Sequence, residues 1–301
     1  MWNAQSASNK RGFLSTAEPS PCAISSPPMD VQQLVDAIRR KSSFLCVGLD
    51  PDPARMPRHL GSGPEAVLRF NKAIIEATSD LAVAYKPNVA FYEAMGPDGW
   101  RVLSETLAAI PEGCLRIADA KRGDIGNTAT RYAQAAFDQW GADAVTVAPY
   151  MGRDSVEPFL AFEGKWAILL AATSNPGAED FEFHGSDHGA PLWRRVFEVS
   201  RTYAGAERLM YVVGATRPEW LAQCRAAAPD RFLLVPGVGA QGGSLEAVCE
   251  AGWASELAGG LLVNVGRSLL YASKGEDFAE AANREAQRIQ QTMALALASN
   301  S

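Results

Sequence analysis

The stretch Asp119-Ala120-Lys121-Arg122-Gly123-Asp124-Ile125-Gly126-Asn127-Thr128 gathers acids and bases where an apolar strand should end and a helix begin. Before it, Cys114-Leu115-Arg116-Ile117-Ala118 reads as a short buried strand. Residues two apart on a strand share a face, about 6.6 Å apart along it, so Asp119 and Lys121 point the same way. Asp124 lies beyond the strand end. Asn127 or Thr128 is placed to cap a helix running through Ala135-Ala136-Phe137 to Gly141. An Asp-x-Lys pair can be no more than a solvated ion pair. Here it closes a strand in a chain of alternating strands and helices, and in such chains strand ends carry catalysis.

Other strand ends are polar too. Asp50 closes the first strand and Lys86 the second. Lys86 shares its face with Ala84 and Ala82, whose small side chains leave room for a long ammonium. Ser174-Asn175 follows the fifth strand. The seventh runs into Pro236-Gly237-Val238-Gly239-Ala240-Gln241-Gly242-Gly243, and the eighth into Asn264-Val265-Gly266-Arg267-Ser268. Glycines let backbone N–H groups approach an anion, and a helix starting after Gly266 adds its positive end. Arg267 can grip phosphate oxygens through two N–H groups. Barrels often hold a phosphate after strands seven and eight, so these loops are read as a phosphate site and not as turns alone.

The elements that must position these residues alternate regularly. Val31, Leu34, Val35 and Ile38 have the spacing of one helix face. Apolar runs at 44–50, 81–86, 114–121, 143–147, 166–171, 209–213, 232–235 and 260–265 read as eight strands. Helices are predicted at 64–75, near 100–110, at 192–204 and at 218–228. Near-continuous apolar strands separated by helices indicate a parallel sheet covered on its outside. The count and the 301-residue length fit a single-domain α/β fold, a (β/α)8 TIM barrel. An open doubly wound sheet is the alternative, but no GxGxxG follows the first strand. The barrel is assigned to 29–290 and a frayed end to 291–301. Residues 1–28, rich in Ser, Ala, Pro and Asn and lacking periodicity, read as a disordered tail or as preceding a true start at Met29. They contain no continuous apolar core for a secretory signal.

Composition narrows the function. Hydrophobic content of 47% with 21% charged residues is ordinary for a globular protein. A net charge of −6 and pI near 5.3 argue against nucleic acid or an anionic membrane as a partner, though not against a small anion. No apolar run reaches the roughly 20 residues of a membrane span. The five cysteines, Cys22, Cys46, Cys114, Cys224 and Cys249, are scattered and read as buried thiols of a reducing compartment, the cytoplasm. With only His59, His184 and His188, a histidine metal centre is not expected, and chemistry must come from Lys and Asp.

Taken together, these motifs resemble orotidine 5′-phosphate decarboxylases. The 119–128 segment is similar to that family's DxKxxD-I-x-N-T element, and 44–50, Lys86, 236–243 and Gly266-Arg267 fall in the matching order. The likeness spans about 29–282. Arg-Gly after the lysine, and Gly126 where many members have Pro, look like a longer bacterial subgroup; the insertion at 181–189 has no assigned counterpart. The resemblance implies loss of CO2 from orotidine 5′-phosphate to give uridine 5′-phosphate, without metal or organic cofactor. It implies Lys121 as the proton donor to C6, Asp119 beside the substrate carboxylate, and Lys86 joining the charged array to ribose hydroxyls. Asp124 and Thr128 would enter the partner's site in a homodimer. Asp50 would bind ribose hydroxyls, Ser174 the pyrimidine edge, and Gln241, Gly266 and Arg267 the phosphate. Two rivals are a metal-dependent sugar-phosphate decarboxylase or aldolase, whose relatives place a metal-binding Glu where this chain has Lys86, and a silent phosphate-binding scaffold, which should lack one of the four charges.

Overall fold

Strands that are apolar on both faces need cover on both, and the chain supplies it by closing its sheet on itself and wrapping the outside in helices. The computed structural model describes residues 29–185, 189–239 and 242–300; the expected tail at 1–28 lies outside them. The strands are β1 (Leu45–Leu49), β2 (Ala82–Pro87), β3 (Leu115–Arg122), β4 (Ala144–Val147), β5 (Trp166–Ala172), β6 (Leu209–Val213), β7 (Leu233–Pro236) and β8 (Leu261–Val265). All neighbours are parallel, and β1 pairs with β8 to close a barrel in sequential order. Every predicted strand is present within a residue or two, and the open-sheet alternative is excluded.

The helices are α1 (Val31–Lys41), α2 (Pro64–Thr78), α3 (Val89–Glu93), α4 (Pro97–Ala108), α5 (Gly126–Gln134), α6 (Arg153–Leu160), α7 (Leu192–Ser200), α8 (Pro218–Ala227), α9 (Leu245–Gly252), α10 (Arg267–Leu270) and α11 (Phe278–Ser299). A reciprocal cap starts α1: Asp30 accepts from the Gln33 N–H at 2.8 Å while Gln33 accepts from the Asp30 N–H at 2.8 Å. Proline opens α2, α4 and α8, where its missing N–H is no loss. The helix after β3 departs from expectation. It starts at Gly126, with Asn127 and Thr128 inside its first turn and no side-chain cap, and passes into a π turn at Ala135–Gln139. Gly126 itself has φ 55°, a left-handed value open to glycine, which takes the chain straight from Ile125 into the helix. At the other end α11 runs unbroken to Ser299, correcting the frayed end placed after 290. Its Met293 is buried and its sulfur accepts from the Phe44 N–H at 3.4 Å, so the helix is anchored on the barrel.

Candidate active site

Register brings the charged strand ends level. Gly48 and Leu49 pair with Lys86 and Pro87 across β1 and β2, and Asn88 bridges to Asp119. Asp50, Lys86, Asp119 and Lys121 therefore meet as an alternating array at the carboxyl end of the barrel. Lys86 Nζ donates to Asp119 Oδ2 at 2.7 Å with both groups buried. Lys121 Nζ donates to Asp119 Oδ1 at 2.7 Å, yet its side chain is 50% exposed and open to a ligand. Asp119 and Lys121 converge as the sequence predicts, but by a different route. The register slips between Ala118 and Arg122, and Lys121 takes φ 47°, so a bulge and not a regular pleat joins them.

Burial alone would raise the Asp119 carboxyl, but Lys86 and then Lys121 outweigh it and hold the group well below the usual carboxylate range. Burial alone would lower Lys86, but Asp119 and Asp50 hold it above the usual lysine range. Burial raises Asp50, with Lys86 opposing. Asp50 Oδ1 is buried without a hydrogen-bond partner among the described residues, an unused acceptor beside the array. The nearby Cys46 thiol is pushed up to about 12 by burial and stays protonated. It is no nucleophile.

The loops after β7 and β8 adjoin. A Cβ added at Gly239 would lie 3.8 Å from Ser268 Oγ, and one at Gly266 would lie 3.9 Å from Asp50 Oδ2. Arg267 stands exposed immediately after Gly266. The helix expected there is the four residues of α10, so it offers a few free N–H groups and not a long dipole. Gln241 lies outside the described residues. Ser174 follows β5, half-buried, and Gly214 presses against it so closely that a Cβ there would come within 2.7 Å of Ser174 Cβ. The insertion beginning at 181 is fastened beside it: Glu182 accepts from the Thr173 N–H at 2.6 Å, and Phe183 packs on Trp220 with centroids 4.8 Å apart.

Asp124 and Thr128 make no hydrogen bond or ion pair to the array among the described residues. Asp124 Oδ1 accepts from the Ile125 N–H at 2.7 Å, and Thr128 is exposed. Around them lie apolar side chains facing outward: Ile125 is 53% exposed, Tyr150 85% and Met151 47%. Two contributors escape the sequence reading. Thr146 on β4 bonds both Asp119 and the Lys121 main chain, and the Arg122–Glu93 ion pair at 2.6 Å pins the residue after Lys121. A hydroxyl in Ala144-Val145-Thr146-Val147 is ordinary for a strand, and no spacing marks it.

A closed parallel barrel with a fixed Lys/Asp array beside adjoining glycine-containing loops defines a class: barrel enzymes that act on small ligands through charged side chains. The chain belongs to the Orotidine 5′-phosphate decarboxylase / HUMPS family, whose model matches residues 43–282. It is 55% identical over 269 residues to an orotidine 5′-phosphate decarboxylase of Flavobacterium johnsoniae, covering 88% of this chain and 97% of that protein. A Bacteroides fragilis protein of the same name is 51% identical over 88% of this chain and 97% of its own. Among solved structures, Leishmania donovani OMP decarboxylase superposes with TM-score 0.74 at 39% identity, covering 87% of this chain and 100% of that one. Leishmania donovani UMP synthase gives TM-score 0.75 at 40% identity, covering 86% of this chain and 56% of that one.

Proposed function

We propose that this protein decarboxylates orotidine 5′-phosphate to uridine 5′-phosphate in pyrimidine biosynthesis, using its own charged side chains and no metal or organic cofactor. The observation that carries the reading is the alternating array, in which Asp119 contacts Lys86 and Lys121 at 2.7 Å each. Breaking the bond to CO2 leaves an electron pair localised at C6 with no conjugated sink, so fixed charge must stabilise it. An ammonium about 4 Å from that carbanion contributes about 4 kcal/mol at an effective dielectric near 20. Lys121, the exposed cation of the array, faces C6 and delivers the proton that completes the product. Asp119 lies beside the departing carboxylate, and its repulsion ends when CO2 leaves. Lys86, held cationic between Asp119 and Asp50, would repel a divalent cation at the same place.

Asp50, whose Oδ1 has no partner among the described residues, and Lys86 take the ribose hydroxyls. Ser174 meets the pyrimidine edge. The Gly266 N–H, Arg267 and Gln241 hold the phosphate, whose binding energy positions the base. Asp124 and Thr128 serve the site of a second subunit in a homodimer, a role supported by their separation from the array and by the apolar surface around them. The four cysteines among the described residues are free and buried, which suits the reducing cytoplasm.

The test is an absorbance assay of purified protein with orotidine 5′-phosphate, with and without EDTA. Turnover unchanged by chelator is expected. Binding of uridine 5′-phosphate without turnover of orotidine 5′-phosphate would overturn the reading in favour of a silent scaffold, and loss of turnover in EDTA would favour metal-dependent chemistry.

A further inference from the structure

Opposite the catalytic bulge stands one residue. Ala118 pairs with Val145 and Arg122 with Val147, so Asp119, Ala120 and Lys121 together face only Thr146. Within the bulge Lys121 holds φ 47°, a left-handed backbone that a non-glycine residue keeps only where its surroundings over-determine it. The regular ladder cannot supply that restraint, because it is broken there. The Thr146 hydroxyl supplies it instead. It is 1% exposed, accepts the Lys121 N–H at 2.9 Å and donates to Asp119 Oδ1 at 2.9 Å. The same Oδ1 accepts from Lys121 Nζ at 2.7 Å. A closed circuit results: Lys121 main chain, Thr146 hydroxyl, Asp119 carboxylate, Lys121 ammonium.

We propose that Thr146 is a positioning residue for decarboxylation, its hydroxyl setting the geometry at which the Lys121 ammonium and the Asp119 carboxylate meet the substrate. The inference rests on the decarboxylase reading above. The role requires a group that donates and accepts at once at a buried position. Valine keeps the shape of threonine but can do neither. It would leave the Lys121 N–H without this partner and free one side of the Asp119 carboxylate to turn. Serine retains both functions. Since Thr146 touches groups at the reacting end and not the phosphate cradle, the loss should fall on turnover and not on nucleotide binding.

The experiment compares Thr146→Val and Thr146→Ser with wild type for kcat, KM and uridine 5′-phosphate affinity. Misplacing reacting groups by about an ångström can cost on the order of 10²-fold in rate. Thr146→Val is therefore expected to lower kcat by about 10- to 100-fold, with KM and product affinity within about threefold of wild type and kcat restored to within about threefold by Thr146→Ser. The proposal is overturned if Thr146→Val keeps kcat within about threefold, if Thr146→Ser is as impaired as Thr146→Val, or if product affinity falls as far as kcat. Should Thr146→Val not fold, Thr146→Cys, with its weaker and longer-reaching thiol, takes its place under the same criteria. A wild-type protein inactive on orotidine 5′-phosphate would instead refute the decarboxylase reading, so the two failures are distinguishable.

Discussion

Asp119 accepts from two ammonium groups and a hydroxyl, and this concentration of donors governs how the protein should respond to acid. Its folded-state pKa lies below the unfolded value of about 3.9, so the stability it contributes is complete above that value and drains away as pH falls toward the folded-state pKa. Asp50 has the opposite sign. Burial raises its carboxyl, so its contribution is complete below the unfolded value and is lost as pH rises through the raised one. Asp119→Asn should therefore flatten the loss of stability below about pH 4, on top of a large fall at neutral pH from leaving Lys86 buried without its partner. Asp50→Asn should steepen the acid loss. Urea midpoints followed from neutral to acid pH check both, and identical slopes for the two variants would show that neither group is perturbed as described. The array is legible in the sequence because charge is rare at the ends of apolar strands. Thr146 is not, because its importance comes from a register slip that no residue type announces.

Most elements are legible for the same reason the barrel forms: a parallel strand covered on both faces must be apolar throughout, and seven of the eight are marked by such runs with turn residues after them. β3 carries four charged residues inside the strand, and there the regular reading fails locally. α3 is five residues capped by Asn88, too short for a periodicity to show. The barrel's amino end has its own hidden device. Arg225, on α8, is buried and donates to the carbonyls of Gly252, Ala228, Arg231 and Gly260 at 2.6–2.8 Å, tying α9 to the entries of β7 and β8. Burial pushes its guanidinium down to about 10, with Asp230 opposing, still far above neutrality, so a buried cation is bonded to carbonyl oxygens. Arg225→Met keeps much of the volume and removes every donor. It should destabilise by about 3 kcal/mol or more, lowering Tm by several degrees, because buried carbonyls lose their partners. KM should not change, since the residue sits at the end of the barrel opposite the site. Calorimetry with steady-state kinetics separates these effects, and an unshifted Tm would show that the network is dispensable.

At the scale of the whole molecule, the proposed sharing of the site between two subunits makes a distinct prediction. Asp50, Lys86, Asp119 and Lys121 converge, whereas Asp124 is half-buried and bonded to the Ile125 N–H, Thr128 is exposed, and Ile125, Tyr150 and Met151 are exposed nearby in the loops after β3 and β4. Sequence spacing alone indicates this separation, since Asp124 follows the strand by too many residues to share the Asp119 face; what it cannot indicate is the apolar surface around it, which forms only when the loops after β3 and β4 meet at Gly123 and Met151. Exposed apolar side chains of that size are costly to leave in water and mark a surface that another copy can cover. The consequence is testable by complementation. Lys121→Ala removes the proposed proton donor, and as a homodimer it should lose on the order of 10³-fold in rate, about 4 kcal/mol of transition-state stabilisation. Asp124→Ala should be similarly impaired if each site borrows that carboxylate. When subunits of the two variants exchange, each mixed dimer has one site with both lesions and one with neither. Equal amounts mixed at random make about half of all dimers mixed, so about a quarter of wild-type activity should return. If exchange is verified by an independent label and activity does not return, Asp124 acts within its own chain and the exposed apolar surface has another purpose.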